Sequence, residues 1–244
     1  MHSWFADVMA SVKLIPKPNE PLLVPKPGSG GCVHCAVVGT AGILNGSRMG
    51  KEIDSHDYVF RMNGAVIKGY EEDVGNKTSV YVHTAHAITA SHYWLTEYGY
   101  TSVPHDEGIK FVLIPEGMRD FEWLEGLMKG ERITVGSYIN ERFLKSEDLN
   151  LPHWSIVRPT NGAFTIFLAL HTCDTVNAYG FMTEDYKKYS NYYFERHVKT
   201  DVIFYSNHDY ELEMKTWTKL HNKKIIKLYQ RTDSETETEI AKPH

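Results

Sequence analysis

The stretch 34-HCAVVGTAGILNGSRMG-50 runs apolar through Val37 and Val38, then breaks into a turn spaced by Gly39, Gly42 and Gly46. A buried strand that delivers a glycine-rich loop to a following helix is how open α/β sheets hold nucleotides, because backbone N–H groups at the loop and helix start meet the anion. The spacing G39-x-x-G42-x-x-x-G46 departs from G-x-G-x-x-G, and Gly50-Lys51-Glu52 lacks the G-K-[ST] ending of a P-loop. The stretch therefore sets an α/β fold and a candidate phosphate loop without naming the nucleotide.

Outward from this loop, strand-like and helix-like stretches alternate. After "CAVVG" come a helix near Arg48 to Ile53, the strands "YVFRM" and "SVYVH", and a helix from Ala87 to Tyr98. There follow "KFVLIP", a helix around Asp120 to Met128, "WSIV", the apolar helix "GAFTIFLALHTC", "TVNAYGF", a helix from Tyr210 to His221, and "IIKLY". Such alternation predicts a single parallel-rich sheet with helices on both faces. Pro and Gly crowd residues 15–30, so residues 1–30 read as a Pro-rich arm and the domain as residues 31–231. The tail 232–244, "TDSETETEIAKPH", has almost nothing to bury and is expected to be disordered.

At 244 residues and 42% hydrophobic composition, the chain can bury a sizeable core. Its net charge of -5, with no basic run, argues against nucleic-acid binding or a charged membrane face, so an anionic ligand must be met by local donors. No stretch approaches the roughly 20 apolar residues of a membrane helix, and the first 30 residues lack the apolar core of a signal peptide. Cys32, Cys35 and Cys173 are too few for a disulfide scaffold, and Cys32-x-x-Cys35 has no second pair to complete a zinc site. Two sequons occur, at Asn45 and Asn76.

The helix after "PTNG" is apolar on every side, which marks it as buried and makes its start the interesting end. Thr160 or Asn161 can cap it, Gly162 lets a ligand approach, and the helix dipole favours an anion there; an ordinary capped core helix reads the same way. "SNHDYELE" sets His208 and Glu213 at a helix start, where a histidine can serve as a base, although spacing alone does not select it among 13 histidines. His83, His86 and His92 read as surface residues rather than metal ligands, and the chain carries no Asp-x-Asp triplet. In "YYFE", Tyr192 can stack on a base or sugar, or simply pack in the core.

Together these pieces resemble the animal sialyltransferases, which share motifs called large, small, III and very small. The large motif is similar to Cys35 to Ser79, the small motif to Pro159 to Phe181, motif III to "YYFE", and the very small motif to His208 and Glu213. Within that family, "EIDSHDYVFRMNGAVIKGYEEDVG" is most similar to the branch that adds sialic acid in α-2,6 linkage to O-linked N-acetylgalactosamine (GalNAc). The resemblance implies a Rossmann-like α/β/α sandwich of the variant GT-A type, with CMP-sialic acid as donor, a GalNAc-bearing O-glycoprotein as acceptor, and neither metal nor other cofactor. It implies donor contacts from Thr40, Ala41, Asn63, Thr160, Asn161, Gly162 and Tyr192, His208 as catalytic base, and Glu213 in support. It also implies a Cys35–Cys173 disulfide that leaves Cys32 over, and a Golgi-lumenal enzyme whose cytoplasmic tail, membrane anchor and stem lie outside this segment. Thr84 stands where many relatives carry Asn, so that contact is not carried over, and Asn45 falls inside the donor loop, where a glycan is not expected. Two readings compete: a glycan- or nucleotide-binding module without turnover, and a dinucleotide oxidoreductase, which lacks its glycine fingerprint here.

Overall fold

A strand inside a parallel sheet is covered on both faces and reads as a continuous apolar run. His34–Val38 is such a run and forms β1, its last four residues buried. In the computed structural model, which describes residues 4–131, 150–152 and 157–231, five more strands join it. They are β2 (Tyr58–Met62), β3 (Val80–His83), β4 (Lys110–Leu113), β5 (Thr175–Tyr179) and β6 (Lys227–Leu228). The order is β4-β3-β2-β1-β5-β6 and every pairing is parallel. The α/β class with a parallel sheet is thus as expected.

Side chains alternate between the faces of a strand. Cys35 and Val37 of β1, with Phe60, Val82 and Ala178, pack on one face beneath Ala163, Ile166 and Ala169 of helix α6 (Asn161–Thr172) and Trp217 of α7 (Tyr210–Asn222). Ala36, Val38 and Val59 pack on the other face with Ile53 of α2 (Gly50–Asp54), Val74 of α3 (Glu71–Val74), Tyr193 and Phe194. Helix α6 touches β1, β2, β3 and β5, which explains why it is apolar all round. A disulfide joins Cys35 in β1 to Cys173, just beyond the end of α6, as the resemblance implied, and Cys32 is free and exposed.

Several elements differ from the sequence reading. The segment taken as an arm begins with a helix, α1 (Trp4–Lys13), packed on α5 (Met118–Lys129). Farther along it Leu23 is buried, and the Val24 carbonyl accepts a hydrogen bond from the Tyr58 hydroxyl at 2.7 Å. The helix expected over Ala87 to Tyr98 is instead α4 (Ala85–Trp94) followed by a 3-10 turn (Thr96–Tyr98); Thr84 caps α4 by accepting the Ala87 amide at 2.9 Å. Of "IIKLY", Lys227 and Leu228 form the edge strand beside Asn177 and Ala178 of β5, and Tyr229 N–H donates to Ala178 O at 2.8 Å. His83 is buried, not at the surface: its ring stacks on Tyr81 and meets Trp123 edge-on. Among the described residues no group of three or more His, Cys, Asp or Glu side chains gathers to hold a metal ion. The expected strand at "WSIV" falls largely, and the tail 232–244 entirely, outside the described residues.

Candidate active site

From β1 the chain proceeds outward to β2, β3 and β4, and then returns to lay β5 on the opposite side of β1. Such a switch point opens a crevice at the carboxyl ends of the two strands, the usual ligand site of an open α/β sheet. A cavity of about 300 Å³ occupies it here. Its wall includes Thr40, Ala41, Asn63, Thr160, Asn161, Gly162, Tyr192, His208 and Glu213, so all nine candidate residues from the sequence are brought together.

The turn after β1 is sewn to its neighbours by main-chain bonds. Gly39 N–H donates to Tyr179 O at 2.7 Å, Ala41 N–H to Gly180 O at 3.0 Å, and Thr40 O accepts from Tyr193 N–H at 3.1 Å. A Cβ on Gly39 would lie 2.3 Å from the Gly180 carbonyl oxygen, and one on Gly42 would lie 2.0 Å from that of Ser190. These glycines are therefore required for close backbone packing, and the spacing that suggested a phosphate cradle has that cause. With the Gly39 and Ala41 amides spent, the turn can offer a ligand the amides of Thr40 and Gly42.

At the end of β2, Asn63 adopts a left-handed conformation (φ 55°), uncommon outside glycine. Its carbonyl accepts from the Tyr81 hydroxyl, and its side-chain oxygen accepts from the Asn161 side-chain Nδ2–H at 2.6 Å. Thr160 caps α6, its Oγ1 accepting the Ala163 amide at 3.1 Å. The amides of Asn161 and Gly162 thus stand first in the helix without an intrahelical partner, where an anion is favoured.

Helix α7 reaches across to this point. Glu213, in its first turn and buried, accepts from Thr160 N–H at 2.7 Å and from Thr160 Oγ1–H at 2.6 Å. Burial pushes its pKa up to about 7 against the lowering effect of the two Thr160 bonds. Just before the Asp209 cap, His208 donates from Nδ1 to the Arg158 carbonyl at 2.8 Å, which leaves Nε2 as the basic nitrogen. Burial pushes the pKa of His208 down to about 4; the bond to Arg158 O opposes this and the Arg158 charge reinforces it, so the ring is neutral at pH 7. Tyr192 stacks on Phe194, with centroids 4.9 Å apart, and forms an antiparallel bridge with Ala41.

The sequence reading missed Arg158, Phe181, Tyr205 and Trp217, which also line the cavity. Arg158 immediately precedes the small motif and Phe181 ends it, so both were within reach of a closer reading. Nothing in the sequence ties Tyr205 or Trp217 to the site, since each reaches it only through tertiary packing. Asn45 is not in the cavity wall; its carbonyl accepts from Arg231 at 2.8 Å.

The profile of glycosyltransferase family 29 (sialyltransferase) matches residues 2–225. Alpha-N-acetylgalactosaminide alpha-2,6-sialyltransferase 1 of Gallus gallus is 41% identical across 95% of this chain and 46% of its own length. Alpha-N-acetylgalactosaminide alpha-2,6-sialyltransferase 2 of Homo sapiens is 46% identical across 82% of this chain and 61% of its own. The chain thus spans about half the length of these curated relatives. A crystal structure of a mammalian sialyltransferase superposes with TM-score 0.65 at 24% identity, covering 95% of this chain and 80% of that one, and so shares the fold.

Proposed function

Since the chain belongs to the sialyltransferases, glycosyltransferase family 29, we propose that it moves sialic acid from CMP-sialic acid to the 6-hydroxyl of GalNAc O-linked to a glycoprotein. The observation that carries this reading is the pairing of His208, neutral and with Nδ1 fixed, with an open helix start in one cavity at the switch point. The α-2,6 linkage and the GalNAc acceptor rest on the two relatives named for that activity.

In this reading the CMP phosphate lies against the amides of Asn161 and Gly162, with Thr40 and Tyr192 on its other side. His208 Nε2 takes the proton of the acceptor hydroxyl as that oxygen bonds to the anomeric carbon. The bond from that carbon to the phosphate oxygen breaks, CMP departs with the electron pair, and a single displacement inverts the configuration. Glu213 acts through Thr160, holding the helix start against α7. Fixed N–H donors meet the charge of the single departing phosphate, so the reaction proceeds without a metal. This chemistry belongs in the Golgi lumen, a reading supported by the family to which the chain belongs; no helix among the described residues is long and apolar enough to cross a membrane.

The direct test incubates the protein with CMP-sialic acid and a GalNAc-bearing mucin peptide and reads the product by mass spectrometry. Addition of one sialic acid at O6 of GalNAc is the expected outcome. CMP binding without transfer to any GalNAc, galactosyl-GalNAc or sialylated acceptor would replace the enzyme by a binding module.

A further inference from the structure

One wall of the cavity carries an ion pair that no motif residue explains. Arg158 lines the cavity, and its guanidinium Nη2 is paired with the carboxylate of Glu116, which is buried. Glu116 lies outside every motif, in the turn between β4 and α5. That turn is itself tightly held, because the buried Asp120 carboxylate accepts the amides of Glu116 at 2.9 Å, Gly117 at 3.1 Å and Ala85 at 2.8 Å. The rest of Arg158 is equally constrained. Its amide donates to Asn207 O at 2.9 Å and its carbonyl accepts His208 Nδ1–H at 2.8 Å, while the second guanidinium nitrogen, Nη1, reaches Pro159 O at 3.4 Å and Asn161 Oδ1 at 3.5 Å. A fixed cation therefore stands in the cavity wall between the base and the start of α6.

We propose that Arg158 is the receptor for the carboxylate of the sialic acid donor and that Glu116 is the positioning residue that aims its guanidinium. The inference rests on the reading of the cavity as a CMP-sialic acid site. A buried ion pair contributes little net stability, since desolvating two charges offsets their attraction, so its informative property is its place. The donor brings two anions. The phosphate has its own partners in the helix-start amides, Thr40 and Tyr192, whereas the carboxylate sits on the carbon under attack, next to which the base must stand. Arg158 is joined to that base through its own carbonyl. Its guanidinium presents donors on more than one edge, so it can hold Glu116 and still bond a carboxylate.

The test compares CMP-sialic acid with its carboxyl methyl ester as donors, alongside inhibition by CMP, for the wild type, Arg158→Gln, Arg158→Lys and Glu116→Gln. Charge-assisted hydrogen bonds of this kind should make the wild type favour the acid by roughly 10- to 100-fold in kcat/KM. Arg158→Gln should lose most of that preference while CMP inhibits it as well as the wild type. Arg158→Lys should keep part of it, and Glu116→Gln should reduce it through a raised donor KM. A packing role would instead lower the rate with both donors alike, so the ratio remains informative even for a poorly folding variant, and an unchanged ratio overturns the proposal. Equal weakening of CMP and CMP-sialic acid by Arg158→Gln would reassign Arg158 to the phosphate and overturn the carboxylate assignment. Failure of the wild type to bind CMP or turn over CMP-sialic acid would sink the underlying reading first, and that outcome is distinct from both.

Discussion

The two walls of the cavity are built differently. One consists of the ends of β1 and β2 and the start of α6, all rooted in the sheet, with the Cys35–Cys173 disulfide tying the start of β1 to the far end of α6. The other is the run from Gly180 to Asp209, which carries Tyr192 and His208 and whose regular structure is a single 3-10 turn (Tyr186–Lys188). Apart from Phe181, Tyr193 and Phe194, which are anchored in the core, that run is held by polar side chains. The Tyr189 hydroxyl donates to Asp185 at 3.0 Å, the Asn191 amide to Thr200 Oγ1 at 3.0 Å, and the Tyr192 amide to Glu195 at 2.8 Å. Its edge leaves Val198, Ile203, Phe204 and Tyr205 exposed. Segments with few buried apolar contacts open locally at less cost than a core does. The wall rooted in the sheet, the donor wall of the proposed reaction, should therefore be stiff, and the wall carrying His208 should depend on a small number of bonds.

The largest effect is expected from removing the disulfide. It closes a span of 138 residues between β1 and the end of α6. From loop-closure entropy, Cys35→Ser with Cys173→Ser should cost about 5 kcal/mol, a large part of the stability of an ordinary domain. Denaturant unfolding followed by tryptophan fluorescence measures this. If the double variant unfolded at the wild-type midpoint, the donor wall would not owe its stiffness to the cross-link.

His208→Ala should come next, lowering turnover by roughly 10²- to 10⁴-fold, as for loss of a positioned base, while CMP affinity changes little. His221 provides the contrast. Its Nδ1 accepts the Leu228 amide at 3.1 Å, so His221→Ala should lower the melting temperature but spare turnover per folded molecule. Near-normal turnover by folded His208→Ala protein would remove the base from the mechanism and leave the irregular wall without its catalytic role.

The same contrast governs what the sequence revealed. The sheet and α6 were legible because their physics is local and repetitive: apolar runs at β1, β2 and β3, and a helix apolar on all sides. His208 and Tyr192 lie in a run with no period to read, and only their resemblance to family motifs singled them out. Glu116 was not legible at all, since it meets Arg158 through the return of the chain from β4. The helix at Trp4–Lys13 was hidden by the Pro-rich segment after it, which suggested an arm throughout. The glycines at 39 and 42 marked the right loop for the wrong reason, backbone packing rather than an open cradle.

Glu213, on the helix that continues from the irregular wall, bonds Thr160 of the sheet-rooted wall, and its titration opposes that of His208. The folded pKa of His208, about 4, lies below its ordinary 6.5, so its contribution to stability is full above 6.5 and is lost as pH falls toward 4. That of Glu213, about 7, lies above its ordinary 4.5, so its contribution is full below 4.5 and is lost as pH rises through 7. Between pH 4.5 and 6.5 the two slopes cancel. Glu213→Gln should unmask the histidine slope, making the protein gain up to about 3 kcal/mol of stability across that interval. Urea unfolding at several pH values checks this, and a flat response in Glu213→Gln would show that His208 titrates normally in the folded protein.

The smallest expected effect is that of a chelator, and it bears on whether the two walls suffice together. In the proposed reaction the departing CMP carries one phosphate, and both walls would supply donors to it: the Asn161 and Gly162 amides and Thr40 from the sheet side, Tyr192 from the irregular side. Helix-start amides are fixed before the reaction and need no reorganisation as charge develops, the condition under which such donors are most effective. On that proposal a divalent cation would add charge stabilisation that a single phosphate does not require. Turnover in EDTA should therefore match turnover in added Mn²⁺ or Mg²⁺ within experimental scatter, with the same KM for CMP-sialic acid. Loss of activity in EDTA and its return with either metal would mean that the protein's own donors cannot carry the leaving group, and the account of the donor wall as the complete phosphate site would fall.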